Sequence, residues 1–80
     1  GIQVNPVPSK NQIALKLPFT SDSNESFRLF DSKGTSIFLG EISVGESPNV
    51  YFFDVSLTKG KYFIFSDIKN STYIKSFLIE

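Results

Sequence analysis

Val50-Tyr51-Phe52-Phe53-Asp54-Val55-Ser56-Leu57-Thr58-Lys59-Gly60-Lys61-Tyr62-Phe63-Ile64-Phe65-Ser66 is the stretch that decides how this chain folds. Two runs rich in aromatic and branched residues, the usual material of strands, flank a polar break that ends in Gly60. The pattern reads as a hairpin-like unit in which Gly60, free to take φ > 0, sets the entry into the second run. Side chains alternate along a strand, so Tyr62 and Ile64 point to one face and Phe63 and Phe65 to the other. Both faces are apolar. Such a strand belongs in the middle of a sheet with a second layer packed against it.

Toward the N-terminus, Ile2-Gln3-Val4 runs into Asn5-Pro6-Val7-Pro8-Ser9, whose two prolines remove two backbone donors. That segment reads as a lead-in or an edge strand. Ile13, Leu15 and Leu17 alternate with Ala14 and Lys16, a half-exposed strand with its branched residues inward, and Pro18 ends it or marks an edge. A polar loop over 20–26 leads to a strand at Phe27-Arg28-Leu29-Phe30. Asp31-Ser32-Lys33-Gly34 is the best turn signal, because Asp31 can accept from backbone N–H groups ahead of it and Gly34 supplies the left-handed position. The returning strand over 35–42 has Ile37, Phe38 and Leu39 competing for the core and Gly40 as a bulge candidate. A second loop spans 43–49.

Beyond the central unit, residues 67–71 turn the chain into a terminal strand over 72–79. Tyr73, Lys75, Phe77 and Ile79 share one of its faces, and Ile74, Ser76 and Leu78 the other. No stretch carries a capped amphipathic helix. Six or seven short strands punctuated by turns predict an all-β fold, a small immunoglobulin-like antiparallel β-sandwich forming a single domain over 1–80. Its expected core is Ile13, Leu15, Leu29, Phe52, Tyr62, Ile64 and Phe77. With only one interior between two layers, Phe63 and Phe65 are expected on the outer face beside Phe53 or Phe30, unless a loop or the Pro6–Pro8 lead-in covers them.

Nine Phe and three Tyr among 80 residues must supply the stability, since no cysteine is present to form a disulfide. The absence of histidine and cysteine argues against a structural zinc site, and general acid–base or thiol chemistry loses its commonest agents. Eight basic residues balance eight acidic ones, which argues against a nucleic-acid partner held by phosphate neutralisation. No apolar run approaches the ~20 residues that cross a bilayer as a helix. The proline-containing N-terminus is not expected to be a signal peptide. Ser56-Leu57-Thr58-Lys59 and Ser66-Asp67-Ile68-Lys69 match a serine–lysine spacing that is catalytic on a helix, but here both copies fall at strand ends or turns. Asp22-Ser23-Asn24-Glu25 lacks the rest of a calcium loop. Asn24-Glu25-Ser26 and Asn70-Ser71-Thr72 fit the glycosylation acceptor pattern only where a cell has that machinery. The expectation is no catalytic residue, no metal and no cofactor.

The order of the pieces adds more. Asn5-Pro6-Val7-Pro8-Ser9, the Ile13/Leu15/Leu17 strand and Phe27-Arg28-Leu29-Phe30-Asp31-Ser32-Lys33-Gly34 come first. Phe53-Asp54-Val55-Ser56-Leu57-Thr58-Lys59-Gly60-Lys61-Tyr62-Phe63-Ile64-Phe65 and Tyr73-Ile74-Lys75-Ser76-Phe77-Leu78-Ile79 follow. Together they resemble the C-terminal sorting domain of cargo proteins of the bacterial type IX secretion system, over nearly the whole chain. The resemblance implies a non-catalytic domain at the C-terminus of a longer exported protein, with the cargo domain N-terminal to it. It implies transit through the periplasm, then delivery to the cell surface or the medium. The implied partners are the outer-membrane secretion machinery and a sortase-like protease. It places the recognition signal on Lys75, Phe77, Leu78 and Ile79, to which the outward Phe63 and Phe65 are added, while Asp31, Gly34 and Gly60 form structural turns. Two other readings of the same residues are an immunoglobulin-like protein- or glycan-binding module and a structural spacer of a surface protein.

Overall fold

Side chains alternate between buried and exposed along the strands, as two facing sheets require. The computed structural model describes residues 1–18, 25–42, 49–68 and 70–80, without the side chains of Phe38, Leu39, Ile42 and Ile68. Among these residues seven strands follow one another: β1 (Gln3–Val7), β2 (Gln12–Lys16), β3 (Glu25–Asp31), β4 (Ser36–Ile42), β5 (Val50–Asp54), β6 (Gly60–Ile68) and β7 (Ser71–Ile79). A single 3-10 turn, Pro8–Lys10, joins β1 to β2, and no α-helix occurs among the described residues. The loops expected over 20–26 and 43–49 lie largely outside the described residues.

All pairings are antiparallel and form two sheets, one of order β1-β2-β5 and one of order β4-β3-β6-β7. Across the two layers β1 lies near β7, and β5 near β4. The protein is thus the all-β sandwich that the spacing of its strands predicts. β6 is central in the larger sheet, with β3 on one side and β7 on the other. β1 pairs with β2 alone, so Pro6, opposite Ile13, sits in an edge strand where a missing donor is tolerated.

The core joins Ile2, Ile13, Leu15, Leu17 and Tyr51 from one side to Phe27, Leu29, Tyr62, Ile64 and Phe77 from the other. Six of the seven residues expected inside are there. Phe52 is not; it is 64 % exposed, and Tyr51 takes its place. The register explains the exchange. Tyr51 faces Leu15 and Phe53 faces Ile13, so those two share the inward parity of β2, while Phe52 lies opposite Ala14 and points out. Phe53 accordingly packs against the core instead of lying beside Phe63 on the outer face.

A second correction concerns the hairpin-like unit. β5 and β6 do not pair; β5 belongs to the smaller sheet and β6 to the larger, and residues 55–59 cross between the layers. The supposed polar break contains Val55 and Leu57, and both are half-buried against the core. Val55 N–H donates to the Asn11 carbonyl at 2.9 Å, which ties the start of the crossing to the smaller sheet. At its far end Tyr62 Oη donates to the Thr58 carbonyl at 2.7 Å and lies 3.2 Å from Thr58 Oγ1. A tyrosine that bonds back to the backbone just upstream is the corner device of immunoglobulin-type sandwiches. Gly60, the first residue of β6 and paired with Ile79, takes φ 153, a value that favours glycine.

The turn between β3 and β4 forms as its sequence predicts. Asp31 Oδ1 accepts from the N–H groups of Lys33 and Thr35, each at 2.9 Å, and Gly34 takes φ 84. Further along, Phe27 pairs with Gly40 and Arg28 with Phe38, leaving Leu39 as the extra residue of a bulge beside Gly40. Ile37 is the member of its trio that packs against the core; the side chains of Phe38 and Leu39 lie outside the described ones.

Two stability tests follow from this packing. Tyr62 is 5 % exposed and stacks on Phe77 at 5.8 Å between ring centroids. Tyr62→Ala should cost roughly 3–5 kcal/mol in urea denaturation, the range for emptying a large aromatic from a core. Tyr62→Phe, which keeps the stack and loses only the corner bond, should cost about 1 kcal/mol. A Cβ at Gly34 would meet nothing within 4 Å, so Gly34→Val tests backbone strain alone. It should destabilise by about 1–3 kcal/mol without altering any other surface, and Gly34→Asn by clearly less.

Candidate functional site

The inward parity of Tyr62, Ile64 and Ser66 turns Lys61, Phe63, Phe65 and Asp67 onto the outer face of the four-stranded sheet. Pairing then decides what surrounds them. Phe65 has Arg28 on one side and Ile74 on the other, and Phe63 has Phe30 and Ser76. The rings of Phe30 and Phe65 meet edge to face with centroids 6.4 Å apart. Lys61 Nζ lies 5.5 Å from the centroid of Phe63, a cation–π contact on the same face. Phe30, Phe63, Phe65 and Ile74 line one open apolar hollow, whose rim at the β3–β4 turn carries Asp31, Ser32 and Gly34.

β7 closes this face. Ile74 and Leu78 are 63 % and 59 % exposed, large apolar side chains set two pleats apart on its outer side. Phe63 and Phe65 themselves are half-buried by their neighbours. The Pro6–Pro8 lead-in does not cover them, because β1 belongs to the opposite sheet.

The residues read from the sequence as a recognition signal therefore divide. Phe63, Phe65 and Leu78 lie on the outer face. Phe77 is in the core, stacked on Tyr62, and Ile79 is half-buried against the same core. Lys75 has inward parity, opposite Ile64, yet its side chain is exposed. Ile74 and Lys61 join the outer face without having been singled out in the sequence. For both the signal was available, since Ile74 shares the parity of Leu78 and Lys61 that of Phe63; only the contact of Lys61 with the Phe63 ring depends on side-chain direction.

The crossing segment holds Ser56-Leu57-Thr58-Lys59 in irregular backbone between β5 and β6, away from the helical geometry that a serine–lysine pair uses. Thr58 is engaged with Tyr62. Among the described residues no group of three or more acidic side chains is placed to hold a metal ion.

A comparison with curated proteins and with solved structures returns no match. A family model described as a secretion system C-terminal sorting domain matches residues 3–80, from the first residue of β1 to the end of the chain described. That span contains the Asp31–Gly34 turn, the Leu57–Gly60–Tyr62 corner and the terminal strand in the order the sequence shows them. The chain belongs to the family of C-terminal sorting domains of the type IX secretion system.

Proposed function

We propose that this domain directs an exported cargo protein, attached N-terminal to it, through the type IX secretion system to the cell surface or the medium. The observation that carries this reading is the family match over 3–80, and the family is a targeting signal rather than a catalyst. The domain travels with its cargo into the periplasm, where the outer-membrane machinery recognises it, and a sortase-like protease is a further partner. Recognition falls to side chains that the fold leaves available: Phe63, Phe65 and Leu78 on the outer face, with Lys75 at the strand edge. Phe77 and Ile79 serve it indirectly, by holding β7 against the core. A clustered apolar face of this kind commonly marks an interaction surface.

Fusion of the 80 residues to a periplasmic reporter tests the proposal in a type IX-competent bacterium. The intact fusion should reach the cell surface or medium. Removing residues 76–80 should abolish transfer, but it also strips Phe77 from the core, so a second variant is needed. Phe63→Ser with Phe65→Ser and Leu78→Ser should reduce export several-fold while the domain retains its sheet spectrum. An intact, folded fusion that stays in the periplasm would overturn the sorting function in favour of a binding module or spacer.

A further inference from the structure

The terminal strand has one hydrogen-bonded neighbour. Among the described residues β7 pairs with β6 only, and β1, which passes near it, pairs with β2 only. Its nine residues contain no proline and no bulge, and all nine are in register with β6. A long, regular edge presents a row of unpaired N–H and C=O groups on which another strand can add. The sandwich's other edges are less inviting. β1 contains Pro6, β4 is bulged beside Gly40, and β5 is five residues long.

Lys75 stands at the midpoint of β7, on the inward parity, between half-buried Tyr73 and buried Phe77. Its side chain is exposed and has no ion-pair partner among the described residues. That placement selects the partner. If two copies paired antiparallel through β7 about the strand midpoint, Lys75 of one would face Lys75 of the other, and like charges directly opposite destabilise a sheet. A strand with a carboxylate at that position gains an opposite-charge pair instead. Apolar residues on its outward side continue the face that Ile74 and Leu78 already expose.

We propose that the free edge of β7 is a docking edge for an extended peptide segment that aligns antiparallel to it with an acidic residue opposite Lys75, and that Lys75 at the same time disfavours pairing with a second copy. The proposal deepens the sorting reading, on which it rests only for the partner being a component of the secretion machinery. The peptide titration below needs no secretion, and reporter export needs no peptide, so failure of one is distinguishable from failure of the other.

Two probes test it: a nine-residue peptide copying Ser71–Ile79, and the same peptide carrying Lys75→Glu. Each is titrated into the 80-residue chain while backbone amide signals are followed by NMR. The glutamate peptide should shift β7 amides and bind about three- to ten-fold tighter than the unaltered peptide, the effect of turning one cross-strand pair from repulsive to attractive. Lys75→Glu in the domain should invert that order, with the Tyr62 and Ile64 signals confirming an unchanged core. The proposal is overturned if neither peptide perturbs β7, if both bind alike, or if the shifts map to the Phe30–Phe63 hollow instead of the edge. Self-association of the unaltered chain through β7 overturns it equally.

Discussion

The hydrogen bond from Tyr62 Oη to the Thr58 carbonyl is the constraint on which the rest of the sandwich depends. The chain leaves the smaller sheet at Asp54 and must re-enter in the larger one at Gly60, crossing the edge of the core in five residues. Val55 and Leu57 supply apolar contact along the way, but contact alone does not fix a direction. The corner bond does. It sets where β6 begins, and β6 in turn carries β3 on one side and β7 on the other. The stack of Tyr62 on Phe77 couples the same ring to the terminal strand, so one side chain links the crossing, the central strand and the edge.

β6 also explains why so many phenylalanines are affordable in a small domain. Its inward residues complete the core, and its outward ones meet each other's neighbours instead of open water. Phe65 rests edge-on against Phe30, and the ammonium of Lys61 lies over Phe63, so the outer rings are half-buried without a third layer. The face stays apolar and exposed at Ile74 and Leu78. An interaction surface built this way is rigid before a partner arrives, because strand pairing fixes its spacing.

Much of this was legible in the chain. Period-two alternation located β2 and β3 with their inward parity, the apolar runs located β6 and β7, and Asp31 with Gly34 announced the turn between β3 and β4. What alternation cannot fix is parity in a run apolar at every position. Val50-Tyr51-Phe52-Phe53 offers either face equally, and only pairing with β2 decides that Tyr51 goes in and Phe52 out. The same limit hid the crossing. Two strands separated by five residues suit a hairpin as well as a change of sheet, and the difference lies in Val55 and Leu57, apolar residues inside an otherwise polar segment. For the site, the outward position of Phe63 and Phe65 follows once Tyr62 and Ile64 are taken as inward, and Phe77 was legible as a core residue. The stack of Phe77 on Tyr62 and the cation–π contact of Lys61 with Phe63 are side-chain contacts that no local pattern encodes.

Sheet order has a mechanical consequence. The 3-10 turn after β1 and the end of β7 meet around one small hollow lined by Pro8, Asn11 and Ile79, so the start of β1 and the end of β7 lie at opposite ends of the sandwich. A pull applied between them runs along the strands. It loads the β1–β2 and β6–β7 ladders in shear, where all the backbone bonds of a ladder share the force, instead of peeling them apart singly. Traction between the two ends of the domain would therefore be borne by whole ladders at once.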